Sequence, residues 1–226
     1  MSKIGIISDI HGNYPALQVV MNQLVKADCE QIICLGDIVG YYCMVNECIE
    51  LLQEKNVHCL QGNHETYLLG KARCPRSRSV MDCIRYQQKI IKREYLDWLA
   101  KLIPMDVKND MVIMHGGLKD PVDEYVKDFD FKLGKMLYPD KLVFFSGHSH
   151  IQSLQRHENR LYCNPGSVGQ PRDHISSAAY AIFDDGDIYL ERVNYDIDEI
   201  GKQMERAGFS DYYYRNLYQG KRIGEK

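Results

Sequence analysis

Short β-branched runs that each close on a polar turn and then give way to a helical stripe constrain this 226-residue chain more than any other feature. Ile4-Gly5-Ile6-Ile7 runs into Ser8-Asp9-Ile10-His11-Gly12-Asn13, and Pro15 suits the first turn of the helix that follows. Leu17, Val20, Met21 and Leu24 then recur at helical spacing. Residues 31–35 form a second apolar run that ends in Gly36-Asp37-Ile38-Val39-Gly40, ahead of a stripe of Val45, Cys48, Ile49 and Leu52. Residues 57–61 form a third, ending in Gly62-Asn63-His64-Glu65. This alternation predicts parallel βαβ units, hence an α/β fold, with its ligand site at the carboxyl ends of the strands. On extended backbone, residues two apart share a face, so Asp9 and His11 are expected to aim at one point beyond the first strand.

Farther along, residues 79–103 carry a helical pattern with Leu96, Leu99, Ala100 and Ile103 on one stripe and Pro104 as the stop. Residues 73–78, with Pro75 among basic side chains, read as a surface loop. The run 111–114 leads into His115-Gly116-Gly117, and the acidic, aromatic stretch 118–139 reads as a long loop with a short helix. Residues 141–146 lead into Gly147-His148-Ser149-His150. The rhythm then changes to short strands near 152–155, 160–163, 178–183 and 188–194, the last two joined by an Asp185-Gly186 turn. Antiparallel strands therefore complete a mixed sheet. Ile197, Ile200 and Met204 mark a final helix. The tail 209–226 carries Tyr212, Tyr213, Tyr214 and Tyr218, which pack on their own domain or join two copies in a homodimer. No repeat or linker divides the chain, and 1–226 is expected to be a single domain.

A net charge of −3 and a pI near 6.2 give no case for a nucleic-acid or membrane-surface partner. No apolar stretch reaches membrane-spanning length, and the first residues lack a basic region followed by a secretory apolar segment, so the expected compartment is the cytoplasm. The eight cysteines include no Cys-x-x-Cys pair and read as reduced, structural thiols.

Polar ligands thus stand at the ends of five segments: Asp9 and His11, Asp37, Asn63 and His64, His115, and His148 with His150. Five of the eight histidines lie in these turns, and carboxylate oxygens with imidazole nitrogens are what a borderline divalent metal accepts. The ordered blocks Asp-x-His, Gly-Asp-x-x-Gly, Gly-Asn-His-Glu, His-Gly and Gly-His-x-His resemble the calcineurin-like metallophosphoesterases. That resemblance implies a four-layer α/β/β/α sandwich with two central mixed sheets and a dinuclear metal centre. It implies further that Asp9, His11 and His150 hold one metal, that Asn63, His115 and His148 hold the other, and that Asp37 bridges them. His64 faces the substrate in that pattern.

A hydroxide between the two ions would attack phosphorus, with His64 as an imidazolium that binds the phosphoryl group or protonates the leaving alkoxide. Glu65 is expected to stabilise its helix start or to orient His64. The oxygen and nitrogen donor set, without thiolate, suits Mn²⁺, Fe, Co²⁺, Ni²⁺ or Zn²⁺, with manganese first. Protein phosphatases of this superfamily carry Gly-Asp-x-Val-Asp-Arg-Gly; here Gly40 and Tyr41 stand where the acid and the arginine would be. The later block Asn164-Pro165-Gly166-Ser167-Val168-Gly169-Gln170-Pro171-Arg172 resembles the small prokaryotic-type phosphodiesterase branch, with Arg172 as a candidate phosphate contact. The expected activity is hydrolysis of a small phosphodiester or nucleotide. The alternatives are a dinucleoside polyphosphate (Ap4A-type) hydrolase and a non-catalytic metal-binding scaffold on the same fold.

Overall fold

The computed structural model describes residues 3–75 and 77–225; of the loop expected at 73–78, Arg76 lies outside the described residues. Parallel strands β1 (Ile4–Ile7), β2 (Gln31–Cys34) and β3 (His58–Cys59) are linked by helices α1 (Tyr14–Lys26) and α2 (Val45–Glu54). Asn13 caps α1 by accepting the Ala16 N–H at 3.3 Å, and proline occupies its first turn. Strand β9 (Ala178–Asp184) pairs antiparallel to β1, and β10 (Asp187–Val193) to β9, giving the order β10-β9-β1-β2-β3. Asp185 and Gly186, at φ 49° and 88°, make the tight turn between them.

The second sheet has the order β4-β5-β6-β8-β7 and is also mixed. Its parallel core is β5 (Met111–Met114), β6 (Val143–Phe145) and β8 (Arg160–Pro165), flanked by antiparallel β4 (Met105–Lys108) and β7 (Gln152–His157). Side-chain alternation sorts the layers. Ile4, Ile6, Ile33 and Leu35 of the first sheet meet Ile113, Phe145, Leu161 and Cys163 of the second, and Phe145 and Phe183 touch edge to face across the gap. The opposite faces pack outward. Ile7 and Cys34 lie under α1, α2 and α7 (Ile197–Arg206), while Val112, Met114, Phe144 and Tyr162 lie under Phe129, ahead of helix α6 (Phe131–Leu137). This is the α/β/β/α sandwich.

Two elements differ from the sequence reading. The expected helix over 79–103 is split into α4 (Arg78–Ile90) and α5 (Arg93–Leu99), with Ile91 and Lys92 extended between them. Asn46 of α2 satisfies the break, donating to the Ile90 carbonyl at 3.0 Å and accepting the Lys92 N–H at 3.0 Å. Strand β4 follows Pro104 and was unmarked in the sequence; only four residues long, it pairs along one edge with β5.

The tyrosine tail packs on its own chain. Tyr214 donates to Glu205 of α7 at 2.5 Å, Tyr213 to Asp82 of α4 at 3.0 Å, and Tyr218 to Asp198. All eight cysteines are free, and no helix among the described residues is long and apolar enough to cross a membrane.

Candidate metal centre

The five polar turns converge where the strands of both sheets end, but not on extended backbone. Asp9, His11, Asp37, His148 and His150 all have positive φ, between 54° and 64°. The expectation that Asp9 and His11 share a strand face is corrected accordingly: each is turned inward by a left-handed kink. Main-chain hydrogen bonds between turns hold the kinks. Asp9 N–H donates to Gly36 O and His11 N–H to Asp37 O, each at 3.0 Å, while Gly169 N–H donates to Asp9 O at 3.0 Å. Gly62 is required by contact: a Cβ there would lie 2.2 Å from Asp37 Oδ1.

Two groups of buried donors result, Asp9 with His11, Asp37 and His150, and Asp37 with His115 and His148, the donor atoms of each lying within 4.8 Å of one another. Asp37 belongs to both. Its Oδ1 accepts the His64 N–H at 2.8 Å, and its Oδ2 stands 3.4 Å from His115 Nε2 and 3.8 Å from His11 Nε2. Asn63 Oδ1 lies 3.0 Å from His115 Nε2, and its amide is oriented by donation to Tyr67 Oη at 3.2 Å. All seven residues singled out as ligands are therefore brought together.

The donor chemistry fits a cation. His11, His115 and His150 direct Nδ1 at the carbonyls of Val39, Leu35 and Gln170, at 2.8, 2.9 and 2.6 Å. Those carbonyls assign the proton to Nδ1 and turn Nε2 inward, the arrangement by which histidine is oriented toward a metal. Burial holds His11 and His150 well below the ordinary histidine range, so both are neutral, yet their Nε2 atoms stand 3.1 Å apart. Two lone pairs at that distance repel unless an ion takes both; with metal–nitrogen bonds of about 2.0–2.1 Å, neighbouring ligand nitrogens stand about 3 Å apart. Asp9 Oδ1 and His148 Nε2 are buried and accept no hydrogen bond. Burial pushes His115 down, but the Asp37 carboxylate overrides it and raises the ring to about 10. Burial would raise Asp37, and the imidazoles, His115 first, hold it well below the usual carboxylate range. A proton on His115 thus balances charge where a cation would otherwise do so.

The sequence pattern of the calcineurin-like phosphoesterase superfamily domain matches residues 2–186. This chain belongs to that superfamily. A protein of Methanocaldococcus jannaschii, described as uncharacterised, is similar to this phosphoesterase at 36% identity over 248 aligned positions, covering 97% of this chain and 99% of its own. The solved metallophosphoesterase of Sphaerobacter thermophilus superposes with a TM-score of 0.83 at 28% identity, covering 97% of this chain and 99% of that one. A hypothetical protein of Pyrococcus horikoshii shares the fold with the same TM-score at 19% identity, over 98% and 100% of the two chains. The reaction class is hydrolysis of phosphoester bonds, and the superfamily uses divalent metals.

Behind the phosphoesterase centre stands Glu65, buried at the third position of α3 (Asn63–Leu68). One carboxylate oxygen accepts from Asp37 and Gly62 N–H at 2.9 and 2.7 Å, the other from Ile38 and Val39 N–H at 2.8 and 3.1 Å. Glu65 thus caps its helix and fixes the Asp37 turn; it makes no bond to His64. A glutamate at the third position of a helix start signals the first role, and nothing in the sequence signals the second. Gln87 of α4 does similar work, accepting Gly40 N–H at 2.8 Å and donating to Gly40 O at 3.0 Å. It too was missed, since one polar residue on a helix face is unremarkable.

His64 lies between Asp37 and the Tyr41 ring, with Nε2 3.9 Å from Asp37 Oδ2 and Nδ1 without a partner. Burial lowers its pKa against the pull of Asp37, so the imidazolium expected from the sequence gives way to a neutral ring. Arg172 lies over the Tyr41 ring and donates to Tyr41 Oη at 2.8 Å. Tyr41 stands where the phosphatase pattern has arginine; here the guanidinium reaches that place from the turn after β8. Asp123, from the stretch 118–139, stands 3.3 Å from His148 Nε2 and was not anticipated.

Proposed function

We propose that this phosphoesterase hydrolyses a small phosphodiester or nucleotide at a two-cation centre. Asp9, His11 and His150 would hold one ion and Asn63, His115 and His148 the other, with Asp37 shared. The observation that carries this reading is the membership of Asp37 in both buried donor groups. Divalent cations in such a site polarise phosphoryl oxygens and acidify water enough to supply hydroxide near neutral pH. The donor set has no thiolate and suits manganese, iron, cobalt, nickel or zinc; manganese is the first to test.

The chain's own residues bind and orient. Arg172, held by Tyr41 and Gln170, supplies a fixed cation to a non-bridging phosphoryl oxygen. His64, neutral at rest, offers a ring N–H to the phosphoryl group, and its main-chain N–H keeps Asp37 Oδ1 in place. Asn63 joins the two sites, presenting Oδ1 to the centre while lining the cavity beside it. Eight free thiols fit a reducing compartment, and we assign the protein to the cytoplasm, working as one domain.

Metal analysis of purified protein, with hydrolysis of bis-(p-nitrophenyl) phosphate, p-nitrophenyl phosphate and cyclic nucleotides, tests the proposal. Two metals per chain, ester hydrolysis and its abolition by Asp37→Ala are expected. Full activity in metal-stripped Asp37→Ala protein, or silence on every ester with two metals bound, would overturn it.

A further inference from the structure

The two sheets have four edge strands, and these are not alike. β3 is two residues long, β4 is four with Lys108 at its end, and β7 is polar at every position except Leu154. β10 is seven residues long, pairs with β9 without a bulge, and contains neither proline nor lysine. Proline, lysine, bulges and shortness are what blunt an edge, because bare N–H and C=O groups recruit another strand. We infer that β10 is the surface through which two copies of this chain associate, antiparallel and edge to edge, so that their first sheets run on as one.

The hairpin fixes which groups are free. A two-residue turn closes on a hydrogen-bonded pair, here Asp184 with Asp187. Asp187, Tyr189, Glu191 and Val193 therefore bond to β9, while the N–H and C=O groups of Ile188, Leu190 and Arg192 face outward. Among the described residues those outward groups have no main-chain partner. The edge is also tied to the second sheet: Gln152 of β7 donates to Glu191 O at 3.0 Å, and Arg156 pairs with Asp187 at 3.1 Å. Apolar surface borders it. Tyr189 and Leu190 are 52% and 36% exposed, and Leu154 is 39% exposed on the face of β7 that carries Gln152 and Arg156.

Charge selects a second copy as the occupant and sets its register. Asp187 is paired with Arg156 and Arg192 with Asp173, so Glu191 is the charged side chain of β10 without an ionic partner among the described residues. A two-fold axis at Leu190 pairs the whole strand. Leu190 then meets the partner's Leu190, Ile188 meets the partner's Arg192, and Tyr189 brings a hydroxyl donor against the partner's Glu191. Sliding one copy by two residues sets Glu191 against the partner's Asp187 in one direction and against the partner's Glu191 in the other. Both directly oppose like charges. A slide of one residue sets outward groups against groups already bonded within their own sheet. The strand is thus complementary to itself in a single register.

Sedimentation equilibrium of the full chain tests the contact without any substrate or metal. A mass near twice 26.2 kDa is expected, and a monomer at every concentration reached would overturn the proposal. Leu190→Lys sets two ammonium groups against each other at the axis, and Leu190→Glu two carboxylates, so each is expected to weaken self-association about tenfold. Mixed in equal amounts, the two variants should recover the dimer, since residue 190 of each copy then meets the opposite charge. Dimers that neither substitution weakens place the contact elsewhere, and failure to recover on mixing refutes the two-fold register; either result overturns the proposal. Tyr189→Glu, on the other face of the strand, opposes the partner's Glu191 and should weaken pairing to a similar extent. It decides the question should a charge at position 190 disturb folding, and an unweakened dimer there would again count against β10.

Discussion

Replacing Glu65 by glutamine removes one charge and keeps the shape, which makes it a sharp probe of how the centre is held. The carboxylate receives four buried N–H groups, two on each oxygen. Glutamine has a single acceptor oxygen, so whichever way its amide is turned, two donors face an NH₂ group. Leaving a buried donor unsatisfied costs about 1–3 kcal/mol, so the pair costs about 2–6 kcal/mol. A second effect opposes this. Burial and the Asp37 charge push Glu65 up from 4.5 to about 7, which corresponds to about 3 kcal/mol for ionising it in metal-free protein, and glutamine escapes that cost. Cations on Asp37 cancel the repulsion and leave the N–H donors to decide. Glu65→Gln should therefore destabilise the manganese-loaded protein by about 2–6 kcal/mol and the stripped protein by much less. Denaturant titration of both forms near pH 8 reads the difference. A loss below about 1 kcal/mol in the loaded form would show that Glu65 does not hold the Asp37 turn through those four bonds, and equal losses with and without metal would show that the Asp37 charge does not burden Glu65 in the stripped protein.

The remaining predictions concern His64 and His115. Gly40 has φ +92°, and a Cβ there would lie 2.0 Å from His64 Nδ1. Gly40→Ala should displace the ring and lower kcat by about 10²-fold, in line with loss of a positioned proton donor, with metal content intact; an unchanged kcat would mean that His64 does not serve turnover. His115 is raised from 6.5 to about 10, so its stabilisation of the metal-free protein is fully present below 6.5 and is lost as pH rises through about 10. A metal must displace that proton, and manganese affinity should rise with pH until the ring is free. Calorimetry near pH 7.5 in buffers of different ionisation heat should report about one proton released per centre filled. No release would mean that His115 carries no proton in the metal-free protein.

Where two periodicities alternate, the fold was legible. β1 and β2 pair Ile4 with Gln31 through Ile7 with Cys34, and apolar side chains on both sheet faces are what a parallel strand buried under helices requires. The Asp185-Gly186 hairpin was legible for a local reason, since few pairs tolerate two left-handed residues. Strand β4 and the break at Ile91 were not. Both depend on partners distant in sequence: β5 for the strand, and the Asn46 side chain, 46 positions from Lys92, for the break. The periodicity of α4 and α5 runs through Ile91 because the turn that ends α4 is satisfied from another helix.

The site was legible as a set of residue types but not as a geometry. Left-handed backbone at a non-glycine residue costs about 1–2 kcal/mol, so five such residues at one centre represent a substantial strain that the bonds between turns must offset. Glycine would announce such a conformation in the sequence; aspartate and histidine do not. They are nonetheless among the side chains that enter it most readily. The same short polar residues therefore meet both demands, accepting the kink and offering a ligand atom. With both residues kinked, His11 Nε2 stands 3.8 Å from Asp9 Oδ1, and the main-chain bonds from Asp9 N–H to Gly36 O and from His11 N–H to Asp37 O hold the strained turns that place them there.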